Sequence, residues 1–249
     1  MRFKRLHPWR VGYQEAVDIQ DRLRKSLILT DGSTTLPRTI AGADVAYGKR
    51  TNQVYAGVVV FDFKGMKPLD KASAVRKASF PYIPGLLSFR EAPALLKAFS
   101  LLKTKPDVLL FDGQGIAHPR GLGLASHMGL LLDRPSVGCA KSVLVGGYDP
   151  VGVEAGSYSY LLYKGKRVGA AVRTRSRVKP VFVSPGHRIN LPSSIKIVLR
   201  SCRGYRLPEP LRQAHNLVSQ LRSVSEGKYT IRGGSLRGME PRSNPCGAQ

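Results

Sequence analysis

Three carboxylates stand where an acid has little structural work to do. Asp44 interrupts the apolar run Ile40–Tyr47, and Asp112 ends PDVLLF just before Gly-Gln-Gly. Glu91 lies near the start of the helical stretch SFREAPALLKAFSLL. Strand carboxyl ends are where α/β proteins place their chemistry. Carboxylates that converge raise one another's pKa unless a cation screens them. Hard oxygen donors of this kind suit Mg²⁺, which keeps waters and phosphate in its shell. Two such ions about 4 Å apart clamp the attacking and leaving oxygens of a phosphodiester. An acidic trio in a basic chain therefore reads as a nuclease.

Each acid also has a plainer reading. Ser88-Phe-Arg-Glu91 matches a capping box, with Pro93 suited to the first turn of the same helix. Asp44 could belong to a buried ion pair. Asp112 before Gly113 could be a turn residue, although its strand-end context favours function. The run Gly113-Gln-Gly115-Ile-Ala-His118, with Asp133 about 20 residues on, imitates a dinucleotide fingerprint. His118 at the sixth position and Pro119 after it exclude a helix opening there, so no dinucleotide cofactor is expected.

The elements that must carry these acids follow from periodicity. Residues 10–29 space Val17, Leu23 and Leu27 as an amphipathic helix. TIAGADVAYG, NQVYAGVVVFDFKG and KPLDKASAVRKASF read as three strands of an antiparallel meander. PYIPG is a stiff loop. Helix 88–102, the buried strand PDVLLF, helix GLGLASHMGLLLD and strand PSVGCAKS follow. YSYLLYKGKRVGAAVRT reads as a hairpin with Lys-Gly at its tip, and VKPVFVSPGHRINL as a strand running into a loop. PSSIKIVLRSC and PEPLRQAHNLVSQLRS are the last helices. The sum is a mixed α/β sheet flanked by helices. Residues 1–224 are expected to form one domain, and 225–249, rich in Gly, Ser, Arg and Pro, a disordered basic tail.

Composition bounds the partner. The chain has 249 residues, 40 Lys+Arg against 16 Asp+Glu, and a formal charge of +24. Such a surplus is sustained most readily against a polyanion, and nucleic acid is the obvious one. From Lys164 to Arg206 there are twelve Lys/Arg and no acid. Cys139, Cys202 and Cys246 share no close spacing, so neither a disulfide framework nor a zinc knuckle is expected. The basic N-terminus lacks an apolar segment behind it, which argues against a signal peptide and for the cytoplasm. The longest apolar run, 54–61, is far short of a membrane span, so no membrane partner is expected.

Six strings taken together carry a resemblance. IAGADVAY, FPYIPGLLSFRE, DGQGIAHPRGLGLASHMG, GCAKS, VSPGHRINLP and LPEPLRQAH run in order from about 39 to 216. They closely resemble the endonuclease V family of deoxyinosine-specific nucleases. The resemblance implies a ribonuclease H-like fold, a five-stranded mixed sheet whose first three strands are antiparallel. It makes Asp44, Asp112 and Glu91 ligands of Mg²⁺, with Mn²⁺ able to substitute. It places His215 beside the attacking water and Lys141 near the scissile phosphate, while His118 contacts substrate. Pro81, Tyr82, Ile83 and Pro84 form a wedge inserted beside the lesion, and Gly85, Gly113 and Gly115 wall the pocket for the flipped base. The implied reaction cuts the second phosphodiester bond 3′ to deoxyinosine in DNA, leaving 3′-hydroxyl and 5′-phosphate, by a monomeric enzyme. Inosine in RNA is the alternative substrate, and a non-catalytic basic nucleic-acid-binding protein the alternative of another kind. The +24 charge and the tail are not required by the family.

Overall fold

The computed structural model describes residues 1–31, 36–227, 229–231 and 239–241, the last two stretches by their backbone alone. An N-terminal helix α1 (Tyr13–Leu23) closes in a 3-10 turn (Arg24–Ser26), shorter than the sequence expectation because Leu27 is already extended. The meander follows as β1 (Thr39–Tyr47), β2 (Gln53–Asp62) and β3 (Pro68–Lys77). Then come α2 (Leu87–Leu101), β4 (Val108–Phe111), α3 (Leu124–Leu132) and β5 (Ser136–Ala140). The hairpin β6 (Tyr158–Tyr163) and β7 (Lys166–Val172) leads to β8 (Val181–His187), α4 (Leu191–Arg200) and α5 (Glu209–Ser225).

The sheet has eight strands in the order β3-β2-β1-β4-β5-β8-β7-β6. The expected five-stranded mixed sheet is its first part: β1, β2 and β3 pair antiparallel, and β4 and β5 add parallel to β1. The count differs because β8 pairs antiparallel with β5 and brings the β6–β7 hairpin with it. That hairpin turns at Lys164 (φ 51°) and Gly165 (φ 72°). Two successive positive φ values are those of a type I′ turn, whose twist matches the flanking strands.

Helices cover both faces. Leu95 and Phe99 of α2 and Met128 of α3 pack with Ala41, Ala43, Leu109 and Phe111 on one side. Ile195 and Val198 of α4 and Leu211 and Leu217 of α5 pack with Ile40, Leu110, Val137 and Val183 on the other. Alternation along β1 thus sends Ala43 toward α2 and Asp44 toward α5. Gly42 permits the close approach of α5, since a Cβ there would lie 2.2 Å from the Pro210 carbonyl. Two further three-residue strands, Tyr229–Ile231 and Met239–Pro241, pair with each other. Of the rest of the expected disordered tail, Ser225 ends α5 and Glu226 accepts from the Lys49 N–H at 2.7 Å, while 228, 232–238 and 242–249 lie outside the described residues. No helix among the described residues is long and apolar enough to cross a membrane.

Candidate active site

The parallel pairing of β1 with β4 brings Asp112, just past the end of β4, beside Asp44 within β1. Asp112 N–H donates to the Ala43 carbonyl at 3.2 Å, so the second acid sits one residue from the first across the strands. Each carboxylate carries a basic partner. His215 Nδ1 lies 2.8 Å from Asp44 Oδ2, reached from α5 across the close contact at Gly42. Lys141, the residue after β5, donates its ammonium to Asp112 Oδ2. Asp44 is thus paired, as its plainer reading required, but with a half-exposed histidine rather than with a buried Lys or Arg.

Glu91 has a different neighbour from the one its local sequence suggests. Helix α2 starts at Leu87 with Leu86 as N-cap and no side-chain cap, so the capping box is not formed. Ser88 Oγ instead meets His127 Nδ1 at 2.9 Å, and Pro93 falls inside the helix beyond its first turn. Glu91 is buried, and its Oε1 accepts a 2.6 Å hydrogen bond from the Tyr47 hydroxyl. Burial, with Asp44 and Asp112 adding like charge, pushes the Glu91 carboxyl up to about 8 against the opposing Tyr47 bond. Burial first and Asp112 second likewise raise Asp44. The three acids therefore share one electrostatic field.

Beside them lies a cavity of about 230 Å³. Tyr82, Ile83, Pro84 and Gly85, with Gly113 and His118, contribute to its wall, as do Ser88 and Gln114; Pro81 does not. Tyr82 is two-thirds exposed, whereas Ile83 leans on the cluster of Phe80, Leu86 and Phe89. Pro81 and Pro84 are exposed at the two ends of this irregular segment. Gly115 is closed against the sheet: a Cβ there would meet the Pro185 carbonyl at 2.1 Å.

His118 is spent on main chain. Its Nε2 lies 2.9 Å from the Gly85 carbonyl, and its Nδ1 accepts from the Arg120 N–H at 3.2 Å. That pattern needs a neutral ring, and burial followed by the Arg120 charge lowers its pKa to about 4. Two residues that the sequence did not single out share its target. Gln20 donates to Gly85 O at 3.0 Å and Arg120 donates to the same oxygen at 2.8 Å, so three side chains pin the end of the loop. The signal for Gln20 was a lone amide on the apolar face of α1, among Ala16, Ile19 and Leu23. Gln114 was also missed. Its Nε2 donates to Ser142 O at 3.0 Å, tying the Asp112 loop to the segment that follows Lys141.

The match to known proteins runs through these same segments. The endonuclease V family model matches residues 21–216. The chain belongs to the endonuclease V family. It is 49% identical to the endonuclease V of Gloeobacter violaceus, over 89% of this chain and 91% of that one. The crystal structure of the Streptomyces avermitilis endonuclease V has a TM-score of 0.84 at 40% identity, covering 88% of this chain and 96% of that one. The Ciona intestinalis endonuclease V, in complex with a 24mer DNA containing an inosine followed by a ribo-adenosine, has a TM-score of 0.75 at 29% identity. That alignment covers 85% of this chain and 98% of the Ciona chain. By family the chain is an endonuclease, a hydrolase of phosphodiester bonds.

For an endonuclease V the donor chemistry suits a hard divalent cation, because burial and neighbouring negative charge raise the proton affinity of Asp44 and Glu91 and a dication would relieve that cost. As the side chains lie, no three acids, histidines or cysteines among the described residues are arranged to hold one. Basic or hydroxyl partners engage an oxygen of each carboxylate: His215 on Asp44, Lys141 on Asp112 and Tyr47 on Glu91.

Proposed function

We propose that this chain is a metal-dependent, monomeric endonuclease of the cytoplasm that finds deoxyinosine in DNA. It rotates the base into the 230 Å³ cavity and hydrolyses the second phosphodiester bond 3′ to the lesion, leaving 3′-hydroxyl and 5′-phosphate. One observation carries the reading. Two carboxylates on adjoining strands, each with a basic partner, stand beside a cavity walled by a Pro-rich loop and the glycine loop.

Asp44, Asp112 and Glu91 are the residues that would hold Mg²⁺ or Mn²⁺. When bound, such an ion would supply Lewis-acid chemistry, making a water more acidic and offsetting charge that develops on the phosphate. The chain's own groups do the rest. The Asp44 carboxylate accepts from His215 Nδ1–H, which leaves Nε2 free to take a proton from a water. Lys141 keeps an ammonium beside Asp112, where it offsets negative charge in the attack. Tyr47 fixes the Glu91 carboxylate.

Recognition is divided from chemistry. Tyr82, the most exposed aromatic residue of the loop, would enter the gap left by the extruded nucleotide. The two prolines and the triple clasp on Gly85 O hold the loop stiff, so little order is lost on insertion. Extrusion costs a few kcal/mol, less where the pair is already weak, as with hypoxanthine. Both nitrogens of His118 serve this clasp, so its contact with substrate would require one of them to be released.

Inosine in RNA is the second reading. The Ciona complex supports it, because its DNA carries a ribonucleotide directly after the inosine. Matched inosine-containing DNA and RNA oligonucleotides with Mg²⁺, Mn²⁺ or EDTA test both. The account expects cleavage of the inosine-containing DNA with metal and none in EDTA. Cleavage confined to RNA would replace the substrate, and metal-independent binding without any nicking would leave only a basic nucleic-acid-binding protein.

A further inference from the structure

The far edge of the sheet carries a surface that the reaction above does not use. Tyr158, Tyr160 and Leu162 alternate onto one face of the edge strand β6, and Tyr158 and Leu162 are about half exposed. The Arg167 guanidinium lies 4.3 Å above the Tyr160 ring, and the Tyr158 ring meets Tyr160 edge-on at 5.6 Å. Tyr160 pairs with Ala170, which packs in one cluster with Ile195 and Val198 of α4. Helix α4 therefore covers this face at β7 and β8 and stops short of β6. What remains is a cavity of about 380 Å³ between Tyr158 and the Lys196, Leu199 and Arg200 side of α4.

Register places this surface at the catalytic end. Ala140 pairs with Phe182, Phe182 with Ala171, and Ala171 with Ser159, so one row links the residue before Lys141 to the residue after Tyr158. Because β6 runs opposite to β5, Tyr158 lies a step further toward the acids. Three strand spacings of about 4.8 Å put it roughly 14 Å from the Lys141 strand. The face is also the one toward which Asp44 and His215 project, since α4 and α5 share its core.

We propose that Tyr158, Tyr160 and Arg167, with Lys196 and Arg200 at the rim, form a stacking site for single-stranded nucleic acid beside the cleavage centre. Unpaired bases offer a π face to tyrosine and guanidinium, whatever their sequence, whereas a duplex keeps those faces covered. The cations supply phosphate contacts, and no acid lies between 164 and 206 to oppose them. Only the position of the cut strand rests on the function proposed above; the binding itself does not.

The test uses the full chain, an inosine-free oligothymidine and a blunt inosine-free duplex, without metal. Tyr158→Ala with Tyr160→Ala is expected to weaken the single strand about tenfold and leave the duplex unchanged. Tyr158→Trp should keep the affinity, and its emission should be quenched on binding when compared with the parent, whose single tryptophan is Trp9. Lys196→Ala should lower the salt slope by about 1, which the tyrosine variants do not. Unchanged single-strand affinity, equal losses on both nucleic acids, or emission of the Tyr158→Trp variant that is not quenched would each overturn the stacking site. Since no inosine is used, failure to cleave inosine would leave this result untouched.

Discussion

Where β4 ends beside β1, Asp44, Asp112 and Glu91 of α2, three of the chain's 16 acids, share one field and each has a partner from a distant part of the chain. Between Lys164 and Arg206, twelve cations are strung over three elements and their flanking loops, and their roles diverge. Arg206 donates to three carbonyls, those of Lys179 at 2.9 Å and of Pro180 and Lys141 at 2.8 Å. Arg173 likewise donates to the carbonyls of Gly152, Val151 and Val178. Arg188 is paired with Asp133, and Arg167 is stacked on Tyr160. The contrast teaches that a scarce residue type in an apolar setting is informative singly. An abundant one informs only in bulk, because some cations brace the fold and others are left for phosphate.

That comparison can be broken at either region. The largest effect belongs to the acid end: Lys141→Ala should lower kcat about 10²-fold in single-turnover cleavage, with little change in DNA affinity. A variant equally active would remove Lys141 from the chemistry. In the basic stretch, Arg206→Ala should cost about 1 kcal/mol in denaturant unfolding, because three exposed or part-buried carbonyls lose a charged donor. A loss only in salt-dependent binding would instead return Arg206 to the phosphate-gripping set.

A pH-dependent effect sharpens the contrast at a third place, the buried histidine. His127 lies 2.8 Å from His7 and 2.9 Å from Ser88, and burial lowers its pKa to about 3. The unfolded chain takes up that proton near 6.5, so between about 6.5 and 3 the unfolded state binds more protons. Stability then falls as pH falls through that window, by up to about 1.4 kcal/mol per pH unit for this group. His127→Asn should flatten the slope by that amount in unfolding measured across the window; an unchanged slope would contradict the assignment. The smallest effect is expected from Lys166→Ala with Lys179→Ala, both exposed. Each should lower the salt slope of DNA binding by about 1 without shifting the melting temperature.

Much of the acid end was legible because its signals are local. A charge inside an apolar strand marked Asp44, and a strand end before glycines marked Asp112. The meander and the Lys164–Gly165 hairpin were legible for the same reason. What escaped depends on contacts distant in sequence. The pairing of β8 with β5, which enlarges five strands to eight, leaves no mark in either strand's own residues. The Ser88–Glu91 capping pattern was overridden because His127 and Tyr47, from other elements, take those side chains. Gln20 stood out only as a lone amide on an apolar helix face, and Arg120 not at all, until the Gly85 carbonyl lay between them. The roles of His215 and Lys141 came from the resemblance; a half-exposed helical histidine and a lysine after a strand are otherwise unremarkable in a chain of this charge.

The central claim is that Asp44 within β1 and Asp112 at the end of β4 perform the hydrolysis. Its most direct test is single-turnover cleavage of an inosine-containing duplex by Asp44→Asn and by Asp112→Asn, with binding measured alongside. Both variants are expected to bind as the parent does and to cleave at least about 10³-fold more slowly. Near-parental cleavage by either, with binding intact, would contradict the claim.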